Sequence, residues 1–171
     1  LGSIRDTLDL LVENKKIEKA RKFLKSWFHS ELYFRNVKLD SPTSYINFMG
    51  QECMKLGFIQ SSFISDVLLR ESISSTAFTN YVAIPHTISQ NADHSFICVV
   101  HNDSPIPWTN NKANFLLMIG ITQDDMKYFH DAFNLLIELF LTPAVLSKLL
   151  NTKNFQEFVN TALQINELDI N

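Results

Sequence analysis

Apolar residues near the start of the chain fall at helical spacing. Leu8, Leu11, Ile17, Ala20, Leu24 and Trp27 predict one or two helices from Ile4 to about Leu32, with Asn14 and the lysines after it marking a break. Phe34 to Leu39 reads as a short extended stretch. Asp40-Ser41-Pro42 then announces a helix, a polar cap followed by proline in the first turn. Its apolar face is Tyr45, Ile46, Phe48, Met49, Cys53 and Leu56, and Gly57 suits a left-handed stop. Ser61 or Ser62 caps a further helix that points Phe63, Ile64, Val67 and Leu68 inward and ends at Arg70 and Glu71.

The pattern changes in the middle. Tyr81 to Ile84, Phe96 to Val100 and Phe115 to Ile121 are short, apolar and partly β-branched, bounded by Pro, Asn, Asp and Ser. These are strand features, and the unbroken apolar run from Phe115 suits a central strand covered on both faces. Asp124 opens a long helical pattern through Met126, Phe129, Phe133, Leu136 and Phe140. Pro143 opens another helix, and Phe155 to Leu163 a last one. Helices, then strands, then helices predict an α/β fold, a mixed sheet with helices on its faces.

Composition narrows the function classes. The 171 residues are 46% hydrophobic, enough for one sizeable core and a single main domain. The chain begins at Leu1, without methionine, and reads as a piece of a longer protein. A net charge of −3 gives no footprint for nucleic acid. The richest basic stretch, Lys15 to Lys25, is interleaved with Glu18 and reads as a solvated helix face. No apolar run reaches membrane-spanning length, and no signal peptide opens the chain, so a cytoplasmic setting is expected. Cys53 and Cys98 read as buried free thiols. With four glycines and no glycine-rich loop, the usual nucleotide-binding routes are excluded.

Chemistry then rests on five histidines. His29 reads as a helix-end or surface residue, His94 as exposed in a polar loop, and His101 as structural at a strand end. The spacing of His86, His94 and His101 matches no common metal site, so neither metal nor cofactor is expected. His86 differs because it follows Pro85 at the end of a strand, anchored by its backbone and open to a partner. Its imidazole is a nucleophile near neutral pH. Arg70, Ser74, Ser75 and Thr76 lie shortly before it and offer a guanidinium and hydroxyls for a phosphoryl group. Taken alone, Arg70 also reads as half of a surface ion pair, and the serines as turn residues.

The segment Arg70-Glu71-Ser-Ile-Ser-Ser-Thr76 followed by Ala83-Ile-Pro85-His86 resembles the motif of the enzyme IIA domain of the bacterial sugar phosphotransferase system, fructose/mannitol class. Arg70, Glu71, Thr76, Ala83, Pro85 and His86 match in order and without a gap. Pro105-Ile-Pro-Trp108 and Leu149-Leu-Asn-Thr-Lys-Asn-Phe155 are also similar to that family, so the resemblance runs from about Asp40 to Leu163. Ala77-Phe78 and Asn80-Tyr81-Val82 stand where transport-type members usually carry glycine. In this the chain looks like the enzyme IIA-like module at the C-terminus of PRD-containing, BglG-type transcriptional regulators.

The resemblance implies a three-layer sandwich around a small mixed sheet. It makes residues 1–35 a helical connector from an upstream domain and residues 36–171 the enzyme IIA-like domain. It implies phosphorylation on His86 by HPr or another protein of that system, with Arg70 and Thr76 stabilising the transferred charge. Some members carry a helper histidine on the helix after the central strand. Here counting lands on Tyr128 or Phe129, which leaves His130 as a displaced candidate. The implied role is a regulatory phosphoacceptor that communicates with the regulator's upstream domains. The alternatives are a carrier that passes phosphate to an enzyme IIB, or an interaction domain with a vestigial His86. Oligomeric state stays open.

Overall fold

The computed structural model describes residues 2–89 and 91–163. The end of the expected enzyme IIA-like domain, residues 164–171, lies outside the described residues. In chain order the elements are α1 (Gly2–Trp27), β1 (Phe28–Arg35), α2 (Pro42–Lys55), α3 (Ser61–Ile73), β2 (Val82–Ala83), β3 (Phe96–Trp108), β4 (Asn111–Gly120), α4 (Met126–Leu141), α5 (Pro143–Leu150) and α6 (Phe155–Leu163).

The helix signals after residue 40 hold in detail. Ser41 caps α2, accepting from the Ser44 backbone N–H, with Pro42 in the first turn. Gly57 takes the left-handed conformation, φ +73°. Helix α3 starts at Ser61, but its N-cap is Gln60 and no side chain caps it. The helical expectation for the start of the chain is corrected. Helix α1 stops at Trp27, Asn14 does not break it, and Phe28–Arg35 forms a strand.

Four strands pair in the order β1-β3-β4-β2. Strands β3 and β4 are antiparallel, while β1 runs parallel to β3 and β2 parallel to β4, so the sheet is mixed. Because side chains alternate across a sheet, each strand feeds two cores. Val82, Ile97, Val99, Phe115, Leu117 and Ile119 face α1, α4, α5 and α6. Ala83, Phe96, Cys98, Val100, Leu116 and Met118 face α2 and α3. The result is the three-layer α/β sandwich that the sequence implies. Both cysteines are free and buried.

Helix α1 has two characters. Its C-terminal half buries Ala20, Leu24 and Trp27, and Phe23 stacks on Tyr128 of α4 at 3.8 Å between ring centroids. Its N-terminal half leaves Ile4, Leu8, Leu11 and Val12 exposed. Among the described residues no single helix is long and apolar enough to cross a membrane. Helices α4 and α5 are apolar together but meet at 82°.

His101 of β3 is fully buried and stacks on Phe115 at 4.1 Å. Burial, helped by the Arg35 cation, lowers its pKa from 6.5 to about 4. The folded ring therefore stays neutral at pH values where the unfolded one charges. Between about pH 6.5 and 4 the unfolded state binds more protons, so stability falls as pH falls. From pH 7 to pH 5 this ring is expected to cost about 2 kcal/mol. Urea unfolding of wild type and His101→Phe at both pH values checks it: the variant should lose that part of the slope, and equal slopes would refute the assignment.

Candidate functional site

Strand β2 is short, yet its ladder with β4 continues beyond it. Tyr81 O accepts from the N–H groups of Asn114 and Phe115, and Pro85 O accepts from Ile119 N–H at 3.1 Å. Pro85 has no N–H to offer, which limits regular pairing there. His86 nonetheless keeps a single parallel bridge to Ile119. On the other side of β2, Ile84 N–H donates to Thr76 O at 3.2 Å, and Phe78 N–H to Val82 O at 3.2 Å. The backbone leading to His86 is thus held from both sides.

The half-buried His86 ring lies in a shallow depression of about 130 Å³ lined by Thr87, Ile119, Ile121, Phe129 and Phe133. Its Nδ1 sits 2.7 Å from Ile84 O. A carbonyl oxygen can only accept, so in the neutral ring the proton is on Nδ1 and the lone pair on Nε2. Apart from His86 and Thr87, the wall around the ring is apolar.

The other expected site residues are placed differently from one another. Arg70 donates through Nη1 to Ser74 O at 2.9 Å and to Ser74 Oγ at 3.2 Å. It forms no ion pair among the described residues, so the surface-pair reading is not realised. Ser74 is the C-cap of α3, and Ser75 Oγ accepts from Ala77 N–H. Thr76 is 9% exposed, and its hydroxyl donates to Glu71 Oε2 at 2.6 Å. That hydroxyl proton is committed to Glu71 rather than offered to a ligand. None of Arg70, Ser74, Ser75 and Thr76 lines the His86 depression.

On α4 the counted positions and His130 point in different directions. Phe129 faces His86, whereas Tyr128 is stacked by Phe23 with Lys19 Nζ 4.8 Å from its ring centroid. His130 is exposed, with Nε2 3.2 Å from Asn134 Nδ2, and does not line the depression. Successive helical residues point about 100° apart, so a one-residue displacement moves a side chain off the site. His29 belongs to β1, half-buried, with Nε2 3.1 Å from Ser95 O and its ring edge against Phe58. His94 is exposed, as its polar loop suggests. Among the described residues, no three His, Cys, Asp or Glu side chains gather as a metal site requires.

Sequence reasoning gave no role to Phe129, Phe133, Ile119 or Ile121, or to the Ile84 carbonyl. It matched Glu71 without assigning it a function. Two of them carried a readable signal: Glu71 by its place directly after Arg70 in the motif, and Phe129 by the count to the helper position.

Over residues 26–164 the sequence matches the family described as "Phosphoenolpyruvate-dependent sugar phosphotransferase system, EIIA 2". It is similar to the "Probable licABCH operon regulator" of Bacillus subtilis (strain 168), 29% identical over 140 residues covering 82% of this chain and 21% of that protein. It is also similar to the "Transcriptional regulator ManR" of the same organism, 23% identical over 136 residues covering 71% of this chain and 21% of that protein. The chain therefore spans about a fifth of the length of these curated relatives. Among solved structures it resembles the NMR structure of the complex of enzyme IIAMTL and phosphorylated enzyme IIBMTL from Escherichia coli. The TM-score is 0.67 at 16% identity, over 81% of this chain and 99% of that one.

Proposed function

Because the chain belongs to the EIIA 2 family of the phosphoenolpyruvate-dependent sugar phosphotransferase system, we propose that it accepts a phosphoryl group on Nε2 of His86, as the regulatory module of a cytoplasmic transcription regulator. The observation that carries this reading is the 2.7 Å bond from Nδ1 to Ile84 O. It fixes the tautomer and leaves Nε2 as the nucleophile.

The step needs neither metal nor nucleotide. The Nε2 lone pair attacks the phosphorus of a phosphohistidine on a donor such as HPr. The donor's P–N bond breaks with its electron pair returning to the donor ring, and a new P–N bond forms to Nε2. The proton stays on Nδ1. As positive charge develops in the ring, the Nδ1–H···O=C bond strengthens, so the Ile84 carbonyl stabilises the product. Arg70, held by Ser74 and without a carboxylate partner among the described residues, is the cation available to the phosphoryl oxygens. The apolar wall of Ile119, Ile121, Phe129 and Phe133 gives the donor a surface to dock on and keeps carboxylates away from the dianion.

The regulatory setting is supported by the two relatives, both regulators in which the matched region is a fifth of the length. On that reading helix α1 connects the module to upstream domains, and the charge gained on phosphorylation is what those domains sense. The second reading, a carrier that hands phosphate to an enzyme IIB, draws on the likeness to a IIA chain seen with phosphorylated IIB.

Incubation with phosphoenolpyruvate, enzyme I and HPr tests the first claim. The expected result is one phosphoryl group per chain, stable in alkali and lost in acid, as a P–N bond requires. No incorporation, or an acid-stable label, would defeat it. Chasing the labelled chain with sugar-specific enzymes IIB separates the two settings: a regulatory module keeps its label, and a carrier loses it.

A further inference from the structure

Glu71 lies in the last turn of α3, half-buried, and collects three donors on one carboxylate. Oε1 accepts from Thr76 N–H at 3.0 Å and from the indole Nε1–H of Trp108 at 2.7 Å. Oε2 accepts from the Thr76 hydroxyl at 2.6 Å. Trp108, at the far end of β3, is fully buried, so its indole leaves little freedom to the carboxylate. Hydrogen bonds to an ionised acceptor are about twice as strong as neutral ones; two of the three hold Thr76 by both backbone and side chain, and the third ties the carboxylate to Trp108.

Thr76 in turn holds the residue whose carbonyl meets the acceptor ring. Its carbonyl accepts from Ile84 N–H at 3.2 Å, and the carbonyl of Ile84 accepts from His86 Nδ1–H at 2.7 Å. The chain of contacts runs from Trp108 to Glu71, to Thr76, to Ile84 and to His86, each link a hydrogen bond or a residue's own backbone.

We propose that Glu71 is the positioning residue of this acceptor: through Thr76 it holds the Ile84 carbonyl in the direction that keeps the proton on Nδ1 and the lone pair on Nε2 of His86. Glu71 does not line the His86 depression, so its influence is indirect. The consequence for transfer rests on His86 being the phosphoryl acceptor; the consequence for the tautomer does not.

The test reads the unphosphorylated ring. Two-bond proton–nitrogen NMR of the full chain at alkaline pH distinguishes Nδ1–H from Nε2–H imidazole. Wild type is expected to hold the proton on Nδ1. Glu71→Ala is expected to move His86 toward the tautomer mixture of a free imidazole. Glu71→Gln keeps the volume and a carbonyl acceptor, and should restore the wild-type tautomer. In the transfer assay Glu71→Ala should slow labelling about tenfold, the effect of one lost orienting hydrogen bond.

A folded Glu71→Ala chain with an unchanged His86 tautomer would overturn the proposal. If that variant does not fold, Thr76→Val removes only the hydroxyl bond and should shift the tautomer in the same direction by less. No shift there would overturn it as well. A wild-type chain that shows the Nδ1–H tautomer yet takes no label would count against phosphorylation and leave the role of Glu71 standing.

Discussion

Replacing His86 with alanine is expected to take phosphoryl incorporation from one group per chain to none. No other histidine is placed to take over. His101 is sealed inside the sheet and stacked on Phe115. His29 spends Nε2 on Ser95 O, and His130 interacts with Asn134 on an exposed helix face. His94 is exposed, and its ring leans on Phe58 at 4.4 Å. The substitution should leave the fold intact. The His86 ring is half-buried at the end of a ladder, and its Nδ1 hydrogen bond goes to its own segment. A stability change of about 1 kcal/mol or less is expected. Intact mass after incubation with the donor system, beside urea unfolding of both proteins, makes the measurement. Equal labelling of the two proteins would remove His86 from the mechanism.

The second large effect is on stability. Phe115→Ala is expected to cost about 3–5 kcal/mol. Phe115 is fully buried on β4, opposite Val82 on one side and His101 on the other. Its ring meets Phe140 edge-on at 5.4 Å and Phe158 at 5.8 Å, besides the His101 stack. Strands on both sides and helices over the top prevent the hole from closing, so the loss approaches the full cavity cost. The neutral His101 ring would also lose the face it lies on. Chemical denaturation at pH 7 reads the effect. A loss below about 1.5 kcal/mol would mean that the site relaxes far more than this packing allows.

Much of this fold was legible because local chemistry and tertiary structure agree. Ser41-Pro42, Gly57, Pro143 and the run from Phe115 each say locally what the packing also requires. Strand β1 differs from the helix its pattern predicts for a physical reason. Its buried positions are Phe28 and Leu32, and a spacing of four fits one face of a helix as well as one face of a strand. Coming directly after a true helix, it offered no sign of the change; the parallel edge of β3 decides it. Strand β3 runs on to Trp108 through Asn102, Asp103 and two prolines. A register shift between His101 and Ile106 takes up Asn102, Asp103 and Pro105, and β4 pairs with Ile106, Pro107 and Trp108. Such a rescue by a partner strand has no local signal. The same holds at the site. His86 is announced by the residues before it, whereas the contact of Glu71 with Trp108 spans 37 positions. Phe129 against His86 depends on how α4 is rotated.

Helix α1 passes into β1 with no residue between Trp27 and Phe28. The exposed half of the helix is consequently not a tethered tail but the free arm of a crank. Its axle is the buried Ala20-Leu24-Trp27 face, and its blade is an edge of the sheet. Displacement of that arm meets the β1 edge with no loop between them, while His86 sits at the opposite, β2 edge of the same four strands.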